Sequence, residues 1–300
     1  MNANSAPPTL AHLRAFCAVV ERDGFGAAAE ALQSSQPAVS LHVRALERHY
    51  GVPLLRRLPR GVRLTTAGAA VYERATVILR ALAAMDEDVA ALKGLRGGRL
   101  ALGASTTIAN YVLPALIGAF KENYPAVEVA LEVENTELIA GYVAAQRLPL
   151  GFIEGPVPAA HTAALDVAPF RDDELVLVVA GHGPLSTRAS ISLDELAALP
   201  FLAREPGSGT REVVETALRG AGARVRPYLE LGHTEAIKTA VALGQGVSIL
   251  SRHAVERERR SGELRVMPVD GLRIARTFTT ITPRQSRPTP AEQSFLRFIQ

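Results

Sequence analysis

The sequence has no Trp, only 5% aromatic residues and a single cysteine in 300 residues. So few rings exclude a stacking platform for single-stranded nucleic acid, which needs aromatics under successive bases. One cysteine, Cys17, excludes an internal disulfide framework. No run reaches the ~18 apolar residues of a spanning helix. The opening MNANSAPPTLAHLRAF has neither a basic n-region nor a continuous apolar h-region, so a cytoplasmic protein with no membrane partner is expected. Catalytic signatures are equally scarce. GSGT lacks the spacing and the Lys of a P-loop, GQGVSI lacks the third Gly of a dinucleotide fingerprint, and no GxSxG occurs. The seven His form no HExxH and no Cys-paired spacing, so no metal, no cofactor and no enzymatic activity are expected.

What is present is a chain 48% hydrophobic, rich in Ala, Leu and Val, and long enough for two or three compact units. The net charge of +3 is small, but it is unevenly placed. Residues 1–66 hold eight Arg against four Asp or Glu, a net of +4 that leaves −1 for residues 67–300. A basic N-terminal fifth suits a polyanionic partner such as nucleic acid.

Within that fifth, Leu10, Leu13, Phe16, Cys17 and Val20 recur at helical spacing, with Gly24 as the stop signal. GAAAEALQ reads as a short second helix packed through Ala27, Ala28, Ala31 and Leu32. A turn at Gln33 and Ser34 leads to a third helix capped by Ser35, with Pro37 in its first turn. Its core stripe is Val39, Val43, Leu46 and Tyr50. Its opposite stripe is Gln36, Pro37, Ser40, Leu41, Arg44 and Arg48. Helix, short helix, tight turn and polar-faced helix is the helix-turn-helix order, in which the last helix presents its N-terminal residues to the major groove. Gln can bond adenine bidentately, Ser can bond several base edges, and Arg44 is placed for phosphate. LLRRLPRGVRLT then reads as a hairpin wing whose tip is Pro59, Arg60 and Gly61. Arg56, Arg57, Arg60 and Arg63 are its candidate contacts to the DNA backbone or an adjacent minor groove.

The stretch FGAAAEALQSSQPAVSLHVRALERHYGVPLLRRLPRGVRLTTAG resembles the winged helix-turn-helix of LysR-type transcriptional regulators over about forty residues. The resemblance implies that Ser34, Ser35, Gln36, Pro37, Ser40 and Leu41 face double-stranded promoter DNA. Leu41 departs from the frequent Arg, and Leu55 from the usual Phe.

From Thr66 to Leu92 the residues Val71, Ala75, Ile78, Leu82, Met85, Val89 and Leu92 alternate gaps of four and three. Such a seam predicts a helix about 40 Å long that pairs with a second chain. LKGLRGGRL follows as a glycine-rich hinge. LysR-type regulators resemble this too, which implies a homodimer, assembled further into a homotetramer, with RNA polymerase as a further candidate partner.

Beyond Arg99, strands and helices alternate: RLALGA, a helix over 108–122, VEVALEV, a helix over 137–146, LGFIE, then ELVLVVA, PFLA, a helix over 210–219, YLEL, a helix at EAIKTAVAL and VSIL. Repeated βα units predict an α/β domain with a mostly parallel sheet. Its length favours two subdomains. The resemblance implies the periplasmic-binding-protein-like effector domain of the LysR type. The expected organisation is a DNA-binding domain at 1–66, a linker helix at 67–94 and an effector domain at 95–300, with subdomain I at 97–166 and 268–300 and subdomain II at 167–267.

Four strand-to-helix turns are candidate anion contacts: Ser105, Thr106 and Thr107; Asn135 and Thr136; Ser208, Gly209, Thr210 and Arg211; and His233 and Thr234. Each is also an ordinary helix start. REPGSGTRE and TEAIKTAVALGQGVSILSRHAV resemble the LysR-type branch that controls carbon fixation and sulfur assimilation genes, which implies a small anionic co-inducer. LPLGFIEG lacks the Asp frequent before LG in that family. The competing reading is a cytoplasmic small-anion-binding protein or enzyme on the same fold, which leaves the basic N-terminal module without a purpose.

Overall fold

The computed structural model describes residues 7–59, 61–92, 97–284 and 286–299, with the side chains of residues 87, 88 and 90–92 outside that set. The chain divides into two units, Met1–Lys93 and Gly94–Gln300.

The first unit contains α1 (Leu10–Glu21), α2 (Phe25–Ala31), α3 (Gln36–Tyr50), the antiparallel hairpin β1 (Leu55–Arg57) and β2 (Val62–Leu64), and α4 (Thr66–Leu92). Local chemistry sets the boundaries. Thr9 and His12 form a capping box at α1, and the Ser35 hydroxyl accepts from the Ala38 amide at 3.3 Å to start α3. Leu13, Phe16, Cys17, Val39, Val43, Leu46 and Leu54 form the core.

Several sequence expectations are corrected here. Because α1 packs against both α3 and α4, it buries Ala15 and Val19, while Leu10 at its start is exposed. The seven-residue α2 offers one narrow face, so Ala28 and Ala29 are buried and Ala27, Ala31 and Leu32 are not. Tyr50, the last residue of α3, packs its ring against His49 and stays exposed.

The seam on α4 divides as well. A Cβ at Gly68 would stand 1.9 Å from the Leu54 carbonyl oxygen, so glycine lets the helix start pressed onto the module. The next turns continue that packing. Ala75 is 1% exposed, and Val71, Tyr72 and Leu79 join the same core. Ile78, Met85 and Val89 are exposed and Leu82 is half-buried. The expectation that all seven positions form one pairing seam is therefore corrected for Val71 and Ala75, and the Leu92 side chain lies outside the described residues. Of the expected hinge, residues 93–96 lie outside the described residues, and Gly98 already begins a strand.

The second unit runs β3 (Gly98–Ser105), α5 (Thr106–Tyr111), α6 (Leu113–Asn123), β4 (Val127–Glu134), α7 (Thr136–Ala144), β5 (Leu150–Glu154), β6 (Leu165–Ala180), α8 (Leu193–Ala198), β7 (Phe201–Arg204), α9 (Gly209–Gly220), β8 (Pro227–Leu231), α10 (Thr234–Ala242), β9 (Ser248–Ser251), α11 (Arg252–Ser261), β10 (Leu264–Met267), β11 (Ile274–Pro283) and α12 (Pro290–Phe298). The helix expected over 108–122 is two helices, the second beginning with Pro114 in its first turn.

The main sheet has the order β10-β6-β11-β5-β3-β4, with β9 also paired to β6, and β7 pairs β8 separately. It is mixed rather than mostly parallel. β3 is parallel to β4 and β5, whereas β6, β9, β10 and β11 make antiparallel pairs. The reason is topological: β6 carries the chain outward and β11 brings it back alongside, which forces opposite directions. Along β6 the period of two feeds two cores, with Leu175, Leu177 and Val179 in one and Val176 and Val178 in the other. A separate core around Leu100, Leu102, Phe120, Phe152 and Phe295 serves the β3–β5 end.

Candidate functional site

Two places bring the candidate residues together, one in each unit. On α3 and the turn before it, Ser34, Ser35, Gln36, Pro37, Leu41 and Arg44 are exposed and Ser40 is half-buried, while Val39, Val43 and Leu46 point into the core. The polar face therefore exists as the periodicity predicts, with Leu41, 62% exposed, in its middle. The hairpin is fixed by two acids that sequence reasoning missed. Glu47 Oε1 accepts from the amides of Leu54 and Leu55 at 2.9 and 3.3 Å, and Asp23 Oδ1 accepts from the Val62 amide at 2.9 Å.

Arg56 and Arg63 stand directly opposite each other across the hairpin, both exposed. Like charges so placed repel, an arrangement that an external polyanion relieves. Arg57 lies over the Phe25 ring, 4.6 Å from its centroid. Arg60 lies outside the described residues.

In the second unit, the four turns follow β3, β4, β7 and β8, and buried charges cross-link them. Arg204, the last residue of β7, is 3% exposed. Its Nη2 donates to Thr106 Oγ1 at 2.9 Å and its Nη1 to Thr234 Oγ1 at 3.0 Å, so one guanidinium joins two turns. Glu154, the last residue of β5, joins the others. Its Oε1 accepts from the Thr107 amide at 3.3 Å, its Oε2 from Thr210 Oγ1 at 3.0 Å, and its carbonyl from Thr136 Oγ1 at 3.0 Å. Arg276 on β11 completes the set, donating to Glu154 Oε2 at 2.8 Å, Thr210 Oγ1 at 2.9 Å and Asp173 Oδ2 at 2.7 Å. Burial raises the Glu154 carboxyl pKa, but Arg276, Thr107 and Arg204 together outweigh it and hold the group below its ordinary range.

The remaining candidates divide by role. Asn135 caps α7 by accepting from the Leu138 amide at 3.0 Å. Ser208 caps α9, accepting from the Arg211 amide. Ser105 Oγ is buried and has no partner among the described residues. His233 is exposed and makes no side-chain cap bond. A Cβ at Gly209 would meet the Glu154 carbonyl oxygen at 1.5 Å, so that glycine serves close packing.

Arg211 is a correction. Its guanidinium pairs with Glu215 at 2.8 Å and Glu230 at 3.2 Å and donates to the Arg204 carbonyl, so Arg204 and Arg276 supply the buried positive charge instead. Arg204 could have been suspected from its place at the end of FLAR. Arg276 and Asp173, 103 residues apart, left no local signal.

A second charged cluster lies beside α5. Lys238 is 5% exposed and bonds Glu235 at 2.8 Å, Glu258 at 3.0 Å and the Ala254 carbonyl at 3.0 Å, and the Tyr111 hydroxyl donates to Glu235. Burial raises the Glu235 pKa, but Lys238 and Tyr111 outweigh it and lower it.

Residues 10–69 match the bacterial regulatory helix-turn-helix protein, lysR family, and residues 93–300 match the LysR substrate binding domain. The chain belongs to the LysR family of transcriptional regulators. A probable RuBisCO transcriptional regulator of Trichormus variabilis is 36% identical over 290 residues, covering 95% of this chain and 86% of that protein. The regulatory domain of CcmR from Synechocystis PCC6803, solved in complex with 2-PG, is 34% identical, with a TM-score of 0.62 over 68% of this chain and 95% of that one. Full-length OxyR from Pseudomonas aeruginosa is 25% identical, with a TM-score of 0.75 over 98% and 95%. This regulator is thus a DNA-binding protein with a metabolite-binding effector domain, and among the described residues no helix is long and apolar enough to cross a membrane.

Proposed function

We propose that this regulator binds promoter DNA as a dimer of winged modules and that a small anion at the Thr106–Arg204–Thr234 junction modulates that binding. The organisation follows the sequence: DNA binding by residues 1–66, pairing through 67–94 and effector binding by 95–300. Ser34, Ser35, Gln36, Pro37, Ser40 and Leu41 face the major groove, and Arg44, Arg56, Arg57, Arg60 and Arg63 meet the sugar-phosphate backbone. The observation that carries the effector reading is the guanidinium of Arg204, buried yet shared between hydroxyls on two different helix starts. CcmR, a relative that covers the same domain, is solved with 2-PG, which supports a small anion here. Anion binding shifts how the β3–β5 end closes against the β7–β9 end and so changes how the paired modules engage the promoter. Homotetramer assembly and contact with RNA polymerase extend the same reading.

Gel-shift titration with the intergenic DNA upstream of the gene tests the first half, and binding no tighter than to unrelated DNA overturns it. Thermal-shift titration with 2-PG tests the second half. The wild type gains melting temperature and Thr106→Ala gains less; absence of any shift with 2-PG and with inorganic phosphate removes the anion reading.

A further inference from the structure

The junction proposed above for an anion already contains one. Glu205, the residue after Arg204, takes the Nε–Nη2 edge of the guanidinium, with Nε to Oε2 at 2.7 Å and Nη2 to Oε1 at 2.9 Å. The two partners differ in exposure: the Arg204 side chain is 3% exposed and that of Glu205 is 24%. The carboxylate is therefore the solvent-facing member of the pair. Its backbone belongs to the turn held by the Asn135 Nδ2 bond to the Pro206 carbonyl and the Glu137 amide bond to the Gly207 carbonyl, and neither bond involves the Glu205 side chain.

The hydroxyls around it are poised as donors. Thr106 and Thr234 each accept from Arg204, which uses an oxygen lone pair and leaves the hydroxyl proton to donate. Neither side chain donates to another group among the described residues. Ser105, the residue before Thr106, has a buried hydroxyl with no partner among the described residues. The Arg204 guanidinium is thus shared between two donor-capable threonine hydroxyls and a carboxylate that, among the described residues, accepts from that cation alone.

We propose that Glu205 is an internal counter-ion that a phosphate monoester dianion displaces from Arg204. This rests on the anion reading and narrows it. Exchanging Glu205 for a free carboxylate replaces one monoanion with two oxygens by another, so it gains little. A phosphate monoester carries about −1.5 to −2 at pH 7 and three acceptor oxygens, enough for the guanidinium fork and for Thr106 and Thr234 at once. Glu205 is already partly solvated, so its release costs little desolvation. The pair selects phosphate esters over monocarboxylates and keeps the buried guanidinium compensated when no ligand is bound.

The test is calorimetric titration of the full chain with 2-PG, inorganic phosphate and acetate, on wild type and Glu205→Gln. Wild type binds the two phosphates and not acetate. Removing the competing charge makes Glu205→Gln bind 2-PG about tenfold more tightly and admits acetate. Glu205→Asp, too short to span the fork, falls between. Without ligand Glu205→Gln melts lower than wild type, and inorganic phosphate restores it. Unchanged or weaker 2-PG binding by Glu205→Gln, with wild-type binding intact, overturns the counter-ion while leaving the anion reading in place. Failure of both proteins to bind any of the three anions overturns both.

Discussion

Glu154 Oε2 and Arg276 Nη2 lie 2.8 Å apart, with side chains 1% and 3% exposed, where β5 ends beside the returning strand β11. The pair is bonded on its remaining sides by Thr107, Thr210 and Asp173, so both charges are compensated without water. Breaking such a pair leaves a buried charge exposed to a low dielectric. Arg276→Met, which leaves the buried carboxylates of Glu154 and Asp173 without their shared cation, should cost about 3–5 kcal/mol of unfolding free energy, whereas Glu154→Ala, after which Arg276 keeps Asp173, should cost measurably but less. Denaturant unfolding of the three proteins reads this directly, and equal stability of Glu154→Ala and wild type would contradict it.

The same pair sets an acid limit. Because the folded-state pKa of Glu154 lies below its ordinary 4.5, the group contributes stability above that value. That contribution is lost as the pH falls through the folded value. Wild type should lose stability steeply below pH 4.5, and Glu154→Gln, already less stable at pH 7, should show a shallower acid slope in the same window.

The sequence made the helix-turn-helix module more legible than the candidate effector site. Ser35, Val39, Val43 and Leu46 sit a turn or two apart, so helix period and cap chemistry placed α3 within a residue of its observed start. The hydroxyl-bearing turns were legible for the same reason, each being a strand end followed by a cap. What joins them was not, because Arg276 and Asp173 are 103 residues apart and Arg204 and Thr106 are 98 apart, distances over which periodicity carries no information. The α4 seam failed in another way. A four-three spacing reports an apolar stripe but not which partner covers it, and here Ala75 is covered by the module itself.

That division of α4 yields a test. Ile78 and Met85 are 47% and 55% exposed on the stripe beyond the module's core. Replacing both with Asp should yield a monomer by light scattering with the module still folded, because neither side chain belongs to the module's core. Ala75→Leu should instead lower stability by about 1–3 kcal/mol through overpacking, whatever the oligomeric state. A dimer that survives both Asp substitutions would place the pairing surface elsewhere.

The wing makes a salt-dependent prediction. Arg56 and Arg63 face each other without an acidic partner on the hairpin, and each phosphate neutralised by such a side chain releases counterions. Arg56→Ala should reduce the slope of log affinity against log salt by about 0.9 per subunit, with little change in base preference. Arg57→Ala should in addition lower stability slightly, since its guanidinium stacks on Phe25. An unchanged salt slope for both variants would remove the hairpin from the DNA interface.

Leu41 makes a prediction about sequence rather than affinity. Its side chain is 62% exposed on the polar face of α3, between Ser40 and Arg44, and takes no part in the core. An isobutyl group can pack on a thymine methyl but offers no donor to guanine or phosphate. Leu41→Arg should therefore leave the melting temperature within a degree or so, a surface change of about 0.5 kcal/mol at most. Selection from a randomised operator pool should shift one position per half-site from thymine to guanine, to which Arg bonds at O6 and N7, with a discrimination of about 1–3 kcal/mol. An unaltered consensus with uniformly tighter binding would mean that residue 41 meets the backbone and reads no base.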